Sequence, residues 1–281
     1  MLKSKTVCHQ GLVREQNEDN YVSNLSESFW VVADGVGGNV GGSIASQLAV
    51  QSVERHLRQT RNLVDAIMYA NDAVSTMATK QPELYGMATT IMVAQFNDSD
   101  FELSWVGDSR AYIIDDDSIR QLSSDHNFAN ELFLQGDISE KEVATHAGQH
   151  ELTQALGQLS LPDIPVIQGT LNEGSSLLLC TDGLSGVLTD SEILNVFDSY
   201  ASLEEISSTL LTKVLAAGAP DNITFTIVSR DSVPSKVEKI TLNSTGAKRE
   251  KNRLNAIPKP PMTVAVLFIV VLVMIIMFYA G

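Results

Sequence analysis

The chain has 281 residues, 44% of them hydrophobic, with two cysteines and a net charge of −15 from 19 basic and 34 acidic side chains. That much apolar material can bury a core, which excludes disordered, collagenous and coiled-coil classes, and two cysteines cannot build a disulfide framework or a tetrahedral zinc site. Residues 1–247 hold 14 basic and 33 acidic groups, or −19, so the body repels nucleic acid and any metal is expected on oxygen ligands.

No apolar run follows Lys3 and Lys5, so no signal peptide is expected and the body should stay in the cytoplasm. Strands are predicted at FWVVA (29–33), ATTIMVAQF (88–96), FELSWV (101–106), RAYII (110–114), LLLC (177–180) and ITFTIV (223–228), each rich in β-branched or aromatic residues and bounded by Gly, Asp or Asn. Four of the six come close to hairpin spacing. Helical periodicity places Ile44, Ala45, Leu48, Ala49, Val53 and Leu57 on one face, Leu63, Ile67, Ala70, Val74 and Met77 on a second, and Leu203, Ile206, Leu210 and Val214 on a third. Adjacent strands set apart from paired helices predict an α+β fold with antiparallel pairing. Residues 230–261 read as a flexible, basic juxtamembrane linker. The last twenty, 262–281, carry no charge and as a helix would span about 30 Å, a bilayer's thickness. A single C-terminal membrane helix is therefore expected, with its basic flank, and so residues 1–229, on the cytoplasmic side of the inner membrane.

Four aspartates fall at strand ends: Asp34 after FWVVA, Asp108 after SWVG, Asp182 after LLLCT and Asp221 just before ITFTIV. One such Asp is ordinary turn chemistry. Four with the same strand–Asp–Gly/Asn pattern suggest carboxylates crowded at one end of a sheet, a repulsion that Mg²⁺ or Mn²⁺ would relieve. The neighbouring glycines, Gly35 and Gly183, let the backbone turn tightly and bring a carbonyl within reach of an ion.

Three other motifs compete. CHQGLVR (8–14) has the C-x-x-G-x-x-R spacing of cysteine-dependent phosphatases, in which Cys8 would attack phosphorus, but Glu18 and Asp19 nearby would repel a phosphate. DGVGGNVGGS (34–43) lacks the Lys of a Walker A loop. GGSIA (41–45) is a poor nucleophile elbow, because Ser43 lies ten residues past the strand and inside a helical start. The glycines read better as letting this loop approach a metal and a phosphate before the helix begins.

GLVREQNED (11–19), VVADGVGG (31–38), GMATT (86–90), VGDSRAY (106–112), SSDH (123–126), CTDGL (180–184) and DNIT (221–224), in that order, resemble the bacterial PPM, or PP2C-type, metal-dependent serine/threonine phosphatases. The resemblance implies a central antiparallel β-sandwich flanked by helices, in α-β-β-α layers, with a two-metal site holding Mn²⁺ or Mg²⁺ at one end. It implies that Asp34 bridges both ions, that Asp182 and Asp221 complete the first, that the Gly35 carbonyl binds the second, and that Glu18 and Asp19 hold its waters. Asp108, with Asp182, matches a third-metal position of bacterial relatives. The ions would generate hydroxide near neutral pH for in-line attack on phosphorus, so Asp34 and Asp182 carry catalysis with Arg14, a natural bidentate clamp for the phosphate. Eukaryotic members have a general-acid His where this chain has Val36, so the leaving alkoxide must find another proton source, for which His126 is a candidate. Residues 127–157 resemble the family's flap. The implied partners are phosphorylated proteins, the targets of a bacterial Ser/Thr kinase, met by a monomeric catalytic domain. A membrane-tethered pseudophosphatase is the alternative, but no ligand of the pattern is missing.

Overall fold

The computed structural model describes residues 1–36, 38–115, 117–158, 164–200 and 202–231. The predicted membrane helix and the linker from 232 onward lie outside these residues. Among the described residues no helix is long and apolar enough to cross a membrane.

Two five-stranded sheets form, and every neighbouring pair in them is antiparallel. One runs in the order β1 (Leu2–His9), β12 (Ile223–Arg230), β11 (Ser176–Cys180), β8 (Arg110–Asp115), β9 (Ser118–Gln121). The other runs β10 (Val166–Thr170), β7 (Asp100–Val106), β6 (Ile91–Asn97), β3 (Phe29–Ala33), β2 (Asn20–Asn24). A two-residue pair, β4 (Gly35–Val36) with β5 (Ala88–Thr89), extends the second sheet's end. Strand alternation sorts the side chains into three layers. Trp30, Val32, Met92, Phe96, Leu103 and Trp105 from one sheet meet Ala111, Ile113, Leu177 and Leu179 from the other in the sandwich core. Phe29, Val31 and Ala33 point the opposite way, onto α1 (Gly38–Thr60) and α2 (Leu63–Lys80). Leu178, Cys180, Phe225 and Ile227 likewise pack on α6 (Asp190–Ser199) and α7 (Leu203–Ala216). The expected α-β-β-α order is present. Trp30 meets Phe96 edge-on with centroids 5.5 Å apart; truncating such a fully buried aromatic costs about 3–5 kcal/mol.

Three expectations change. The predicted strand 88–96 is broken at Thr90, which leaves the ladder to bind the backbone of Asp34. Strands β7 and β8, though separated by only Gly107, Asp108 and Ser109, do not make a hairpin; the three residues cross from one sheet to the other. Gly107 has φ +105°, and a Cβ there would sit 2.6 Å from the Thr90 side chain, so the crossing turn needs glycine on both counts. Helix α1 starts at Gly38, six residues before its apolar face begins, so the glycines belong largely to the helix rather than to a loop before it. Tertiary contact overrides their poor helix propensity. A Cβ on Gly42 would lie 2.6 Å from Glu18 Oε1 and 2.8 Å from the Gly35 carbonyl, so glycine there lets the helix seat against Glu18 and Gly35.

Candidate active site

Antiparallel pairing brings the acidic turns together. Cys180 of β11 is registered with Arg110 of β8 and Phe225 of β12, so Asp182 lies at the end where β12 begins and Asp221 precedes it. In the other sheet β6 runs between β3 and β7, so those two strands point the same way and end, before Asp34 and Asp108, on one edge. The Gly107–Ser109 crossing joins the two edges. His9 pairs with Ile223 and Asn20 with Ala33, which returns the 10–19 loop to this same end. A cleft of about 810 Å³ results, lined by Arg14, Glu18, Asp34, Gly35, Asp108 and Asp182, with Asp221 at its edge. Of the eight predicted site residues only Asp19 does not line it. Asp19 sits behind, 4% exposed, with Oδ2 accepting from Thr181 Oγ1 at 2.9 Å.

This crowding is electrostatically costly. Burial, followed by repulsion from Asp19, Asp182, Asp108 and Asp221, lifts the Asp34 carboxyl well above the usual carboxylate range. Burial first and Asp221 second raise Asp182. Burial, opposed in part by the nearby hydroxyls of Thr224 and Thr181, pushes Asp19 up to about 7, and burial with Asp182 and Asp125 pushes Asp108 up to about 7. Glu18 is raised by burial and eased by Arg14. Among the described residues the guanidinium lining this cleft is that of Arg14, whose Nη2 lies 2.7 Å from Asp221 Oδ2.

Glu18 Oε1, Asp19 Oδ1 and Asp182 Oδ1 are buried with no hydrogen-bond partner. Unpartnered, buried carboxylate oxygens are the donor type that a hard cation takes. Among the described residues no three carboxylate, imidazole or thiolate side chains close on one point as a ready-made cage. Mg²⁺ and Mn²⁺ sites do not require one, since such ions retain water and accept carbonyl oxygens such as that of Gly35 beside one or two carboxylates. The residues present fit a hard divalent cation of this kind.

Threonines that the sequence reading passed over hold the carboxylates still. The Asp34 N–H donates to Thr90 Oγ1 at 2.9 Å, the Thr90 N–H returns to the Asp34 carbonyl at 2.8 Å, and Thr89 Oγ1 donates to that carbonyl at 2.8 Å. Thr90 Oγ1 also pairs with Ser109 Oγ at 2.7 Å, tying Asp34 to the turn of Asp108. A threonine in a strand reads as β propensity, which conceals this role.

His126, the candidate proton source, does not line the cleft: it stacks on Trp105, its Nδ1 accepts the Gly107 N–H at 3.2 Å, and burial lowers its pKa, the setting of a structural imidazole. His150 is the imidazole at the cleft, with Nδ1 4.0 Å from Asp182 Oδ2. It lies in the flap segment, where α3 (Phe128–Gln135) and α4 (Glu140–Val143) precede it. Cys8 is exposed but lies within β1, paired with Thr224, and of the loop amides that a phosphate cradle would need, those of Gly11 and Leu12 are already given to His9 Nδ1 and the Ala219 carbonyl. Cys8→Ser is expected to leave Mn²⁺-supported turnover within about twofold, a surface change outside the machinery; loss of turnover with metal saturating would revive the thiolate mechanism. Ser43 lies inside α1, away from any strand end, which rules out an elbow.

Residues 12–218 match the model of the protein phosphatase 2C family. The serine/threonine phosphatase stp of Listeria welshimeri is 31% identical over 79% of this chain and 93% of its own length. PstP of Mycobacterium tuberculosis is 30% identical over 78% of this chain and 43% of its own length. Among solved structures, Stp1 of Staphylococcus aureus superposes with a TM-score of 0.76 at 28% identity, covering 83% of this chain and 96% of that one. The catalytic domain of PstP in complex with two manganese ions superposes with a TM-score of 0.73 at 28% identity, covering 82% and 99%. The chain belongs to the protein phosphatase 2C family of serine/threonine phosphatases.

Proposed function

We propose that the chain hydrolyses phosphoserine and phosphothreonine esters of proteins at a centre of two Mn²⁺ or Mg²⁺ ions, held by Asp34, Asp182, Asp221 and the Gly35 carbonyl, with Glu18 and Asp19 behind coordinated water. Asp108 with Asp182 is the proposed seat of a third. The observation that carries this reading is the convergence of Asp34, Asp108, Asp182 and Asp221 on one cleft, with orphaned carboxylate oxygens on Asp182 and on the neighbouring Glu18 and Asp19, and with Arg14 as the one arginine among its described lining residues. Bound there, the ions would supply a water acidic enough to attack near neutral pH and would polarise the phosphoryl oxygens.

The chain's own residues do the rest. Thr89 and Thr90 fix the backbone of Asp34, and Thr181 fixes the Asp19 carboxylate, so charge is preorganised rather than gathered at the moment of reaction. Arg14 is 51% exposed and held by one ion pair, free to exchange Asp221 for a phosphate dianion. Turnover of p-nitrophenyl phosphate and of a phosphothreonine peptide is measured with Mn²⁺ and with excess EDTA. Activity is expected only with metal; full turnover in EDTA would sink the reading. Arg14→Ala is expected to raise KM by about tenfold to a hundredfold, the worth of a charge-assisted hydrogen bond pair, with a smaller loss in kcat. An unchanged KM would remove Arg14 from the phosphate site.

We also propose that residues 262–281 anchor the enzyme to the inner membrane, with its phosphatase domain facing the cytoplasm and acting on targets of a Ser/Thr kinase. The support is the uncharged twenty-residue run behind five basic residues in 248–261. The full chain is expected in the membrane fraction, and a chain ending near 235 in the soluble fraction with equal activity on p-nitrophenyl phosphate. Recovery of the full chain as a soluble protein would contradict the anchor.

A further inference from the structure

The loop that carries Arg14 has no regular structure, yet one buried amide ties both of its ends. Asn222 is 3% exposed. Its Nδ2 donates to the carbonyls of Gln10 at 2.8 Å and Gln16 at 2.9 Å, and its Oδ1 accepts the Glu18 N–H at 2.8 Å. Both amide donors and the acceptor are thereby spent on this one loop. Residues 11–15 are drawn into a ring with Arg14 near its apex. Smaller braces complete it: the Leu12 N–H donates to the Ala219 carbonyl at 3.0 Å, and Gln10 Nε2 donates to the Arg14 carbonyl at 2.8 Å. Gly11, at φ +81°, lies so close to the Asp221 carbonyl that a Cβ would sit 2.1 Å from it, so the ring rests directly on the turn that carries Asp221.

Asn222 also reaches the other acidic turns. Its N–H donates to Asp221 Oδ1 at 2.8 Å, and its carbonyl faces Gly183, where a Cβ would come within 1.8 Å. The backbone of the Arg14 loop is thus fixed against the turns of Asp221 and Asp182, while the Arg14 side chain is half exposed and held by a single ion pair. A fixed base under a side chain free to change partners is the arrangement of a preorganised anion clamp.

We propose that Asn222 is a positioning residue for phosphate binding: one side chain that sets Arg14 against the Asp221 turn before substrate arrives. The proposal rests on the phosphatase reading above. It explains why an amide is needed. Aspartate would keep the shape but lose both donors and aim a negative oxygen at two carbonyls, and alanine would leave those carbonyls and the Glu18 N–H unpaired.

The test is a double-mutant cycle with Mn²⁺ saturating. KM and kcat for p-nitrophenyl phosphate, and the calorimetric affinity for inorganic phosphate, are measured on wild type, Arg14→Ala, Asn222→Asp and the double variant. Asn222→Asp is expected to raise KM and weaken phosphate binding by about tenfold, the worth of one lost hydrogen bond to a charged group, with kcat changed by less than about threefold. In the Arg14→Ala background the same change should add less than about twofold. A general structural role would lower the melting temperature and cost the same factor in both backgrounds. Asn222→Ala is the second variant, with folding checked by circular dichroism, and must agree. Unchanged phosphate affinity in either folded variant, or a full tenfold effect persisting without Arg14, overturns the proposal. Absence of wild-type turnover alongside Asn222-dependent phosphate binding would sink the phosphatase reading and leave the clamp standing.

Discussion

Asp34→Asn and Asp182→Asn are each expected to remove Mn²⁺-dependent turnover by about a thousandfold or more, because loss of even one preorganised electrostatic group in a water-poor site costs about 10²–10³. The same substitutions are expected to raise the melting temperature of the metal-free protein. Both carboxyls are pushed up by burial and by their acidic neighbours, so in the metal-free state each is a source of strain rather than of stability. An amide of the same shape removes the charge and keeps hydrogen-bonding capacity. With saturating Mn²⁺ the order reverses, since ligand binding stabilises wild type in proportion to ln(1 + [L]/Kd) and the variants have lost that affinity. Activity and melting curves therefore move in opposite directions on one pair of proteins. Retained activity in either variant would dismantle the ligand assignment, and a fall in metal-free stability would dismantle the electrostatic account of the site.

The fold was legible where side chains are buried on both faces. All six strands predicted from apolar runs are inner strands: β3, the β6 part of 88–96, β7, β8, β11 and β12. Besides the two-residue β4, the strands that were missed, β1, β2, β9 and β10, are the edges of the two five-stranded sheets, with sequences such as LKSKTVCH and SIRQ that alternate weakly and stay half exposed. Edge strands gain order from pairing with a neighbour rather than from their own composition, so no local pattern announces them. The site divides along similar lines. Aspartates bordered by glycine or asparagine at strand ends stand out, and all four meet in one cleft. What steadies Asp34, Asp19 and Glu18, the hydroxyls of Thr89, Thr90 and Thr181 and the amide of Asn222, acts across separations of tens to hundreds of residues. The hairpin spacing of 101–106 and 110–114 misled for a related reason. Gly107 turns the chain between sheets, and only the Thr90 side chain packed beneath it reveals why.

Metal-free protein is expected to lose stability as pH rises from about 4.5 to 7.5, opposite to the trend that paired surface carboxylates produce. In the unfolded chain an aspartate titrates near about 3.9, whereas Asp19 and Asp108 in the folded state are pushed up to about 7. Between those values the native state holds more protons than the unfolded state, so the slope of unfolding free energy with pH is negative. Stability present below the unfolded pKa is lost as pH climbs through the folded one, and the curve flattens above it. Asp19, 4% exposed, carries the firmest part of this effect. Its loss amounts to a few kcal/mol at most, from about 1.4 kcal/mol per pKa unit and a shift shared among interacting carboxyls. Glu142 and Glu192, whose pKa values are lowered by hydrogen bonds from Ser139 and Thr189, contribute in the other direction, but only below about 4.5, where they gain protons. Mn²⁺ should abolish the slope by replacing protons with a cation, and its binding near pH 6 should release protons measurable by calorimetry in buffers of different ionisation enthalpy. Asp19→Asn should flatten the metal-free curve by itself. Melting temperatures in EDTA that stay level or rise between pH 5 and 7.5 would mean that these carboxylates are not held charged against one another, and the reason for a cation at this end of the sandwich would be gone.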